Sequence, residues 1–337
     1  MKLPLSVLDL VPISEGVSSS ETLRQSLELA KAVDRLGYAR LWYAEHHNMP
    51  SIASTTPAIS IARAADATRG IRVGSGGVML PNHAPLQVAE SFKMLESMHP
   101  GRIDLGIGRA PGTDPAAALA LRGARSNLGA EDFPERLEEL MAFADPGGHP
   151  AMPVAAFPED VPLPPIWLLG SSGFSSVLAA RLGLGFGFAA HFSPDRPDRP
   201  LLAYREQFQP SAAFQKPHAI LTLSVLCADT AEEAERLATS MQLAWVRLRA
   251  GRPSQIPTPE AALAHDYSHE QRVVARSYRQ MQIVGSKDSV RSRIQALAER
   301  TQADEVMVTT VTHAFEARLK SYRLLAEAFE LMPREWA

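Results

Sequence analysis

The sequence predicts an α/β protein that folds as a single (β/α)₈ barrel, the TIM-barrel architecture, with extra loop insertions. Strand-like apolar runs alternate with helical patterns along almost the whole chain, and no shift in composition divides residues 1–337 into two domains. An open doubly wound sheet is the structural alternative, although it usually needs fewer units or a second domain. The eight predicted strands cover residues 3–9, 39–43, 71–76, 102–107, 165–169, 185–190, 219–227 and 304–310.

The limits of several helices follow from capping residues and apolar spacing. Ser18–Glu21 has the capping-box pattern, so a first helix should begin there and end at Gly37. Another helix should begin at Pro85, because proline is well suited to the first helical turn. Longer amphipathic helices should cover residues 231–248 and 313–331.

Two segments interrupt the regular alternation of strands and helices. Residues 145–165 are rich in proline and glycine and should form a loop before the fifth strand. Residues 251–270 should separate the helix after the seventh strand from a further helix that ends near Ile283. Long irregular segments of this kind are either mobile lids over a site or solvated connectors, and the sequence leaves both interpretations open.

Composition and charge exclude several classes of function. The chain carries 34 Lys and Arg against 37 Asp and Glu, so its net charge of −3 offers no basic surface for nucleic acid. No apolar run approaches the roughly 20 residues of a membrane-spanning helix, and the amino terminus lacks the pattern of a signal peptide. The single cysteine, Cys227, lies in an apolar run typical of a buried, inert thiol. We therefore expect a cytoplasmic protein without a nucleic-acid or membrane partner.

Two of the predicted strands run directly into glycine-rich turns. The third ends at Ser75, Gly76 and Gly77, and the fourth is followed by Gly108 and Arg109. Glycine lets the chain turn sharply and lets a flat or phosphorylated ligand approach the backbone closely. In (β/α)₈ enzymes the chemistry lies at the carboxyl ends of the strands. The two turns therefore predict a ligand platform on that face of the barrel.

Three histidines also follow predicted strands. His46 and His47 come after the second strand and His191 after the sixth, where an imidazole can polarise or protonate a bound substrate near neutral pH. Adjacent residues of an extended chain point to opposite sides, so we expect one of His46 and His47 to have a structural role. No His-Glu-x-x-His or Cys-x-x-Cys pattern occurs, so we expect no catalytic metal.

The end of the fifth strand predicts either a phosphate site or a serine-rich helix cap. Free amides at the start of a helix bind phosphate, and Arg109 is the natural cationic partner for it. The Gly-x-Ser-x-Gly pattern of esterases is absent, which counts against a serine hydrolase, and so are the Walker and Rossmann glycine patterns. The residues that enter the helix at this point are Ser171, Ser172, Gly173 and Ser175.

Five sequence motifs in collinear order resemble those of the bacterial luciferase-like flavin-dependent monooxygenase family. The resemblance implies a (β/α)₈ barrel that binds flavin mononucleotide (FMN). It also implies that FMN often arrives in its reduced form as a co-substrate, supplied by a separate NAD(P)H:flavin reductase. The matching motifs are residues 45–47, 73–81, 100–112, 170–173 and 305–310.

The resemblance also implies roles for individual residues. The turn after the third strand matches the platform under the flavin ring, where a non-proline cis peptide is common, here expected between Ser75 and Gly76. His46 matches a histidine close to the reactive edge of the flavin, and His47 and His191 are candidates for contact with substrate. The residues that match the phosphate-binding turn are Arg109, Ser171, Ser172, Gly173 and Ser175.

The predicted function is therefore a flavin-dependent monooxygenase that uses reduced FMN and O₂ to oxygenate a small organic substrate, with the chain forming a homodimer. Luciferases carry a reactive cysteine where this chain has Gly108, so light emission and an aldehyde substrate are not expected. Two alternatives stay open. One is a deazaflavin-dependent oxidoreductase of the same superfamily, which would transfer hydride, and the other is a non-catalytic FMN-binding protein.

Overall fold

The structure, a computed structural model, describes residues 3–110, 112–122, 132–144, 151, 153–193 and 195–335. All eight strands predicted from the sequence are present, together with two short additional ones. The strands in the described residues are β1 (Leu5–Asp9), β2 (Arg40–Tyr43), β3 (Arg72–Ser75), β4 (Val78–Met79), β5 (Ile103–Gly108), β6 (Ile166–Gly170), β7 (Gly185–Ala189), β8 (Ala219–Ala228), β9 (Gln282–Ser286) and β10 (Glu305–Thr309).

Eight of these strands are parallel and close into a barrel. The order around the ring is β1, β2, β3, β5, β6, β7, β8 and β10, and β10 pairs back to β1. Val7 of β1 lies opposite Leu41 of β2 on one side and Val308 of β10 on the other. All five residues of β1 are buried, because helices cover the outside of a parallel barrel. The prediction of one (β/α)₈ barrel is confirmed, and the open sheet is excluded.

The two additional strands lie beside the ring. β4 continues the chain just after β3 and pairs with β5, with Val78 opposite Ile107. β9 pairs only with the second half of β8, residues 224–228, whereas the first half of β8 pairs with β10. The helix expected to end near Ile283 ends at Met281 instead, since the chain becomes extended at Gln282 and enters β9.

Helices surround the barrel and agree largely with their predicted limits. The first capping box is only half formed, because the Ser18 hydroxyl accepts from the Glu21 amide but the Glu21 carboxylate accepts from Arg24. The last long helix is shorter than residues 313–331. The helices in the described residues are α1 (Ser19–Arg35), α2 (Pro57–Ala67), α3 (Pro85–Met98), α4 (Pro115–Arg122), α5 (Phe133–Ala144), α6 (Gly173–Arg181), α7 (Asp198–Gln207), α8 (Ala231–Arg249), α9 (Pro259–Ala264), α10 (His269–Met281), α11 (Lys287–Thr301) and α12 (Phe315–Ala328).

The two irregular segments have different outcomes. Part of the predicted loop 145–165, namely residues 145–150 and 152, lies outside the described residues. The segment 251–270 contains α9 and the start of α10. Its backbone is bound to the loop after β1, because the Ile256 amide donates to Ile13 O and the Glu15 amide donates to Ile256 O, both at 2.9 Å. The segment is therefore fixed against the end of the barrel at Ile256.

Ion pairs close the barrel at the amino-terminal end of its strands. The Arg40 guanidinium lies 2.8 Å from an Asp104 carboxylate oxygen and 3.0 Å from one of Glu305, and both acids are almost fully buried. Removing one partner of a buried ion pair costs about 3–5 kcal/mol. Above this layer, Trp42 and Trp167 pack edge to face inside the ring, with ring centroids 5.5 Å apart. Space for a ligand is therefore left at the opposite, carboxyl-terminal face.

Two expectations about the chain as a whole can be compared with the structure. Cys227 is buried, and burial raises the pKa of its thiol to about 11, as expected for an inert thiol. In the part of the chain that the structure describes, every helix is too short or too polar to cross a membrane.

Candidate functional site

A cavity of about 230 Å³ opens where the barrel strands end. It lies at the carboxyl-terminal face, which is where (β/α)₈ barrels carry their chemistry. We call it the central cavity. Apolar side chains such as Leu8, Trp42 and Met307 form its floor. The sequence-predicted residues that line it are His46, Gly76, Gly77, Arg109, Ser171, Ser172, Ser175 and His191.

The turn after β3 forms one wall of the central cavity. The Gly76 amide donates to Tyr43 O at 2.7 Å, so the backbone still follows the β2–β3 ladder at that point. The cis peptide lies between Gly76 and Gly77, and not between Ser75 and Gly76 as expected. Ser75 is fully buried and its hydroxyl donates to Gly106 O at 2.8 Å, so its side chain supports the turn from below.

The start of α6, directly after β6, forms another wall and offers free backbone amides. Ser172 is the N-cap residue, but its hydroxyl makes no capping hydrogen bond. The first-turn amides therefore have no side-chain cap, which favours the phosphate interpretation over a serine-rich cap. Ser175 is almost completely buried beside them. Gly173 begins α6 and contributes only backbone there, outside the residues that line the central cavity.

Arg109 places a positive charge beside this helix start. Its guanidinium carbon lies 4.4 Å from the ring centroid of Phe174, in the first turn of α6. Among the described residues, no carboxylate forms an ion pair with Arg109. A cation without an acidic partner, next to a positively polarised helix terminus and serine hydroxyls, is suited to bind a dianionic group such as phosphate.

His46 faces the central cavity as a neutral imidazole. Its Nδ1 lies 3.1 Å from Gly112 O, and because a carbonyl oxygen only accepts, Nδ1 must carry the proton and Nε2 the lone pair. Burial lowers the pKa of His46, and the hydrogen bond to Gly112 and the nearby Glu45 offset this only partly. At neutral pH, His46 is therefore a hydrogen-bond acceptor through Nε2.

His47 has turned away from the central cavity and binds a buried carboxylate. Its Nε2 lies 2.9 Å from Glu45, which also accepts from His83 Nε2 and from the Met79 amide, each at 2.9 Å. Burial alone would raise the pKa of Glu45, but the hydrogen bonds from His83, His47 and Met79 lower it below its usual value. Glu45 thus joins the turns after β2 and β4, and His47 is the structural member of the histidine pair in this arrangement.

His191 reaches the central cavity from the end of β7. Burial of its ring, together with the nearby His46, lowers the pKa of His191 to about 3. Its ring packs edge-on against Phe192 at 4.6 Å. Within the described residues, its buried Nδ1 has no hydrogen-bond partner. An unpartnered buried nitrogen is costly, so a bound ligand is the natural partner for it.

A second cavity of about 290 Å³ adjoins the first, and we call it the side cavity. Leu10, His46, His191 and Phe192 line both, so the two histidines flank the passage between them. Three residues of the irregular segment 251–270 line the side cavity. Its other walls come from α8 and α10, from the loop after β2 and from the strands β8 and β10, and the contributing residues carry no local motif. Its further lining residues include Met49, Ser224, Met241, Trp245, Leu248, Pro253, Ser254, Ile256, Tyr278 and Thr309.

Three phenylalanines near the ends of β6 and β7 have different positions. Phe188 is fully buried in the core, and Phe174 lies under Arg109, so only Phe192 borders both cavities. For metals, the described ranges place no three His, Cys, Asp or Glu side chains so that they could hold one ion.

Comparison with known proteins identifies similar chains over almost the full length. Residues 3–305 match the family described as luciferase-like monooxygenase. A luciferase-like monooxygenase of Escherichia coli (strain K12) is 43% identical over 328 residues, which cover 96% of each chain. The N-acetyl-S-alkylcysteine monooxygenase of Bacillus subtilis is 34% identical over 331 residues, covering 96% of this chain and 97% of that protein. The crystal structure of apo-MsnO8 has a TM-score of 0.89 at 38% identity, over 98% of this chain and 100% of that chain.

Proposed function

Because the chain belongs to the luciferase-like monooxygenase family, we propose that it is a flavin-dependent monooxygenase using reduced FMN and O₂. When bound, reduced FMN would supply the two electrons with which one oxygen atom enters an organic substrate and the other leaves as water. We propose further that a separate NAD(P)H:flavin reductase supplies the reduced FMN and that the chain forms a homodimer.

The observation that carries the choice of FMN is Arg109, which lies at the uncapped start of α6 and has no acidic partner among the described residues. Together with Ser171, Ser172 and Ser175, it provides a cation, backbone amides and hydroxyls around one point of the central cavity. Charge-assisted hydrogen bonds of this kind each contribute roughly 1.5–3 kcal/mol. The donor set fits a phosphate monoester, which FMN carries at the end of its ribityl chain and riboflavin lacks.

The remainder of the central cavity fits a flat ring system. Leu8, Trp42 and Leu169 give it an apolar surface that excludes water, and the Gly76–Gly77 backbone carries no side chain toward it. Neutral His46 offers Nε2 as an acceptor at the passage to the side cavity. A neutral acceptor beside the reacting atoms can hold a proton away from solvent until substrate is in place.

The test is anaerobic equilibrium dialysis with reduced FMN, reduced riboflavin and a reduced deazaflavin, followed by admission of O₂. We expect reduced FMN to bind with micromolar or better affinity and riboflavin at least tenfold more weakly. Binding of the deazaflavin but not FMN would identify the hydride-transfer alternative. Tight FMN binding with no acceleration of O₂ consumption would instead identify a non-catalytic FMN-binding protein. Absence of any binding would refute the proposal.

A further inference from the structure

We infer that the side cavity is the substrate chamber and that it selects an uncharged, mainly apolar molecule bearing one hydrogen-bonding group. The inference rests on the proposed function for its meaning as a substrate site. It is carried by three features of the side cavity, namely the absence of charge in its lining, two unpartnered polar atoms and an aromatic wall.

The lining of the side cavity contains no charged side chain among the described residues. Asp, Glu, Lys and Arg are all absent from it, and its two histidines are neutral because burial lowers the pKa of both. A carboxylate or ammonium group placed there would lose its hydration and find no counter-ion. The chamber therefore discriminates against charged molecules of the same size.

Two polar atoms in the same lining have no partner. Thr309 Oγ1, at the end of β10, and His191 Nδ1, after β7, are both buried without a hydrogen bond in the described residues. Both residues border the side cavity. Since a hydroxyl can donate or accept and a neutral imidazole nitrogen can do either according to tautomer, a carbonyl, hydroxyl or ether oxygen of the ligand could satisfy them.

The remaining walls fit an alkyl or aromatic body. Trp245 of α8 and Tyr278 of α10 stack with ring centroids 4.7 Å apart and planes inclined by 21°. Met49 and Met241 add flexible side chains that adapt to irregular shapes. The side cavity has a volume of about 290 Å³.

The test compares two eight-carbon probes that differ in charge, 2-octanone and octanoate. Their affinities are measured by isothermal titration calorimetry at pH 7.5, with the full-length protein both alone and loaded with FMN. We expect 2-octanone to bind at least tenfold more tightly than octanoate. Because the titration with the protein alone needs no cofactor, it gives a result even if the proposed use of reduced FMN is wrong.

A matched pair of variants at Met49 then locates the selectivity in the side cavity. Met49 is partly exposed in the lining, so a longer polar side chain can be accommodated. Met49→Lys should reduce the preference for 2-octanone at least fivefold by giving octanoate a counter-ion, and Met49→Leu should leave it within twofold of the parent. The inference is overturned if 2-octanone does not bind at millimolar concentration, if octanoate binds the parent equally well, or if both variants show the same ratio.

Discussion

Arg109 and His46 separate two tasks of the central cavity at the level of single residues. Arg109 supplies positive charge at the uncapped start of α6. This helix start lies far along the chain from the turn at Gly76 and Gly77. His46 supplies an uncharged acceptor at the passage to the side cavity. Loss of one should therefore impair binding, whereas loss of the other should impair the outcome of the reaction with O₂.

Replacement of Arg109 by alanine should weaken binding of reduced FMN by tenfold or more, which corresponds to about 1.4 kcal/mol. Binding of reduced riboflavin should change by less than threefold, because riboflavin has no phosphate for the guanidinium to contact. Arg109→Lys should be intermediate, since it keeps the charge but not the two-pronged geometry. Equilibrium dialysis measures all three, and an equal loss for both ligands would mean that Arg109 is structural.

Replacement of His46 by alanine should leave FMN binding within threefold of the parent. It should at least double the rate at which hydrogen peroxide is released once O₂ is admitted to protein loaded with reduced FMN. The reason is that the acceptor at Nε2 is lost while the phosphate site is untouched. A single-turnover, peroxidase-coupled assay after anaerobic loading measures that rate. His47→Ala is the matched control, and because it removes a partner of buried Glu45, it should lower Tm instead. An unchanged release rate in His46→Ala would remove His46 from the mechanism.

Most of the central cavity could be predicted from sequence, because its residues directly follow strands and strand ends are readable as apolar runs before glycine. The expected position of the cis peptide was wrong by one residue, since consecutive glycines in the sequence do not show which peptide bond is cis. The role of Glu45 was also missed, because its partner His83 is distant in sequence. The only signal available was an acid directly before two histidines.

At the level of elements, the β3–β4 turn leaves no room for an added side chain. A Cβ atom built on Gly77 would lie 2.7 Å from Leu169 Cδ1 and 2.8 Å from Gly106 O, so the turn packs directly on β5 and β6. The start of α6 is different, because a Cβ on Gly173 would meet no atom within 4 Å. Gly77 and Gly173 thus differ in tolerance to the same substitution.

Replacement of Gly77 by alanine should destabilise the protein by roughly 1–3 kcal/mol, the usual cost of overpacking, and should weaken FMN and riboflavin binding equally. Gly173→Ala is the matched control and should leave the free energy of unfolding unchanged or raised by up to about 1 kcal/mol, since alanine favours a helix over glycine. Denaturant unfolding measures both. Equal stability of the two variants would contradict the packing argument.

The elements themselves were predicted well where they follow the (β/α) alternation and less well elsewhere. β4 has two residues and β9 follows α10 without a glycine or proline to mark the boundary, so neither carries a local signal. The side cavity was the least predictable feature. Trp245 and Tyr278 meet only because α8 and α10 pack together. The spacing of apolar residues in one helix does not show which other helix it packs against.

At the level of the whole molecule, acid should act on stability through His191 and the buried Glu305, whose contributions begin to be lost at different pH values. His191 has a pKa of about 3 when folded and about 6.5 when unfolded, so the unfolded chain binds an extra proton between these values and stability falls as pH falls through them. Burial raises the pKa of Glu305, but Arg40, His218 and Ser6 outweigh this and lower it to about 2. Its contribution is therefore lost only below about pH 4.5, its unfolded value.

Replacement of His191 by glutamine should consequently flatten the stability profile in mild acid. Between pH 7 and pH 5 the free energy of unfolding of the parent should fall by about 1–2 kcal/mol more than that of the variant, at about 1.4 kcal/mol per pH unit below 6.5. Denaturant unfolding without added flavin at pH 7, 6 and 5 gives the comparison. Parallel profiles would show that the His191 imidazole is not buried as a neutral group.

The ten-residue β8 pairs with two different strands along its length. One pairing closes the barrel, and the other holds elements that line the side cavity. The first half of β8 completes the ring with β10, whereas its second half holds β9, which follows α10 in the chain. The side-cavity residues in 241–256 and Tyr278 thus lie on elements that are attached to the outside of the barrel. Residues 241–286 therefore line the side cavity without adding a strand to the closed ring that carries the central cavity.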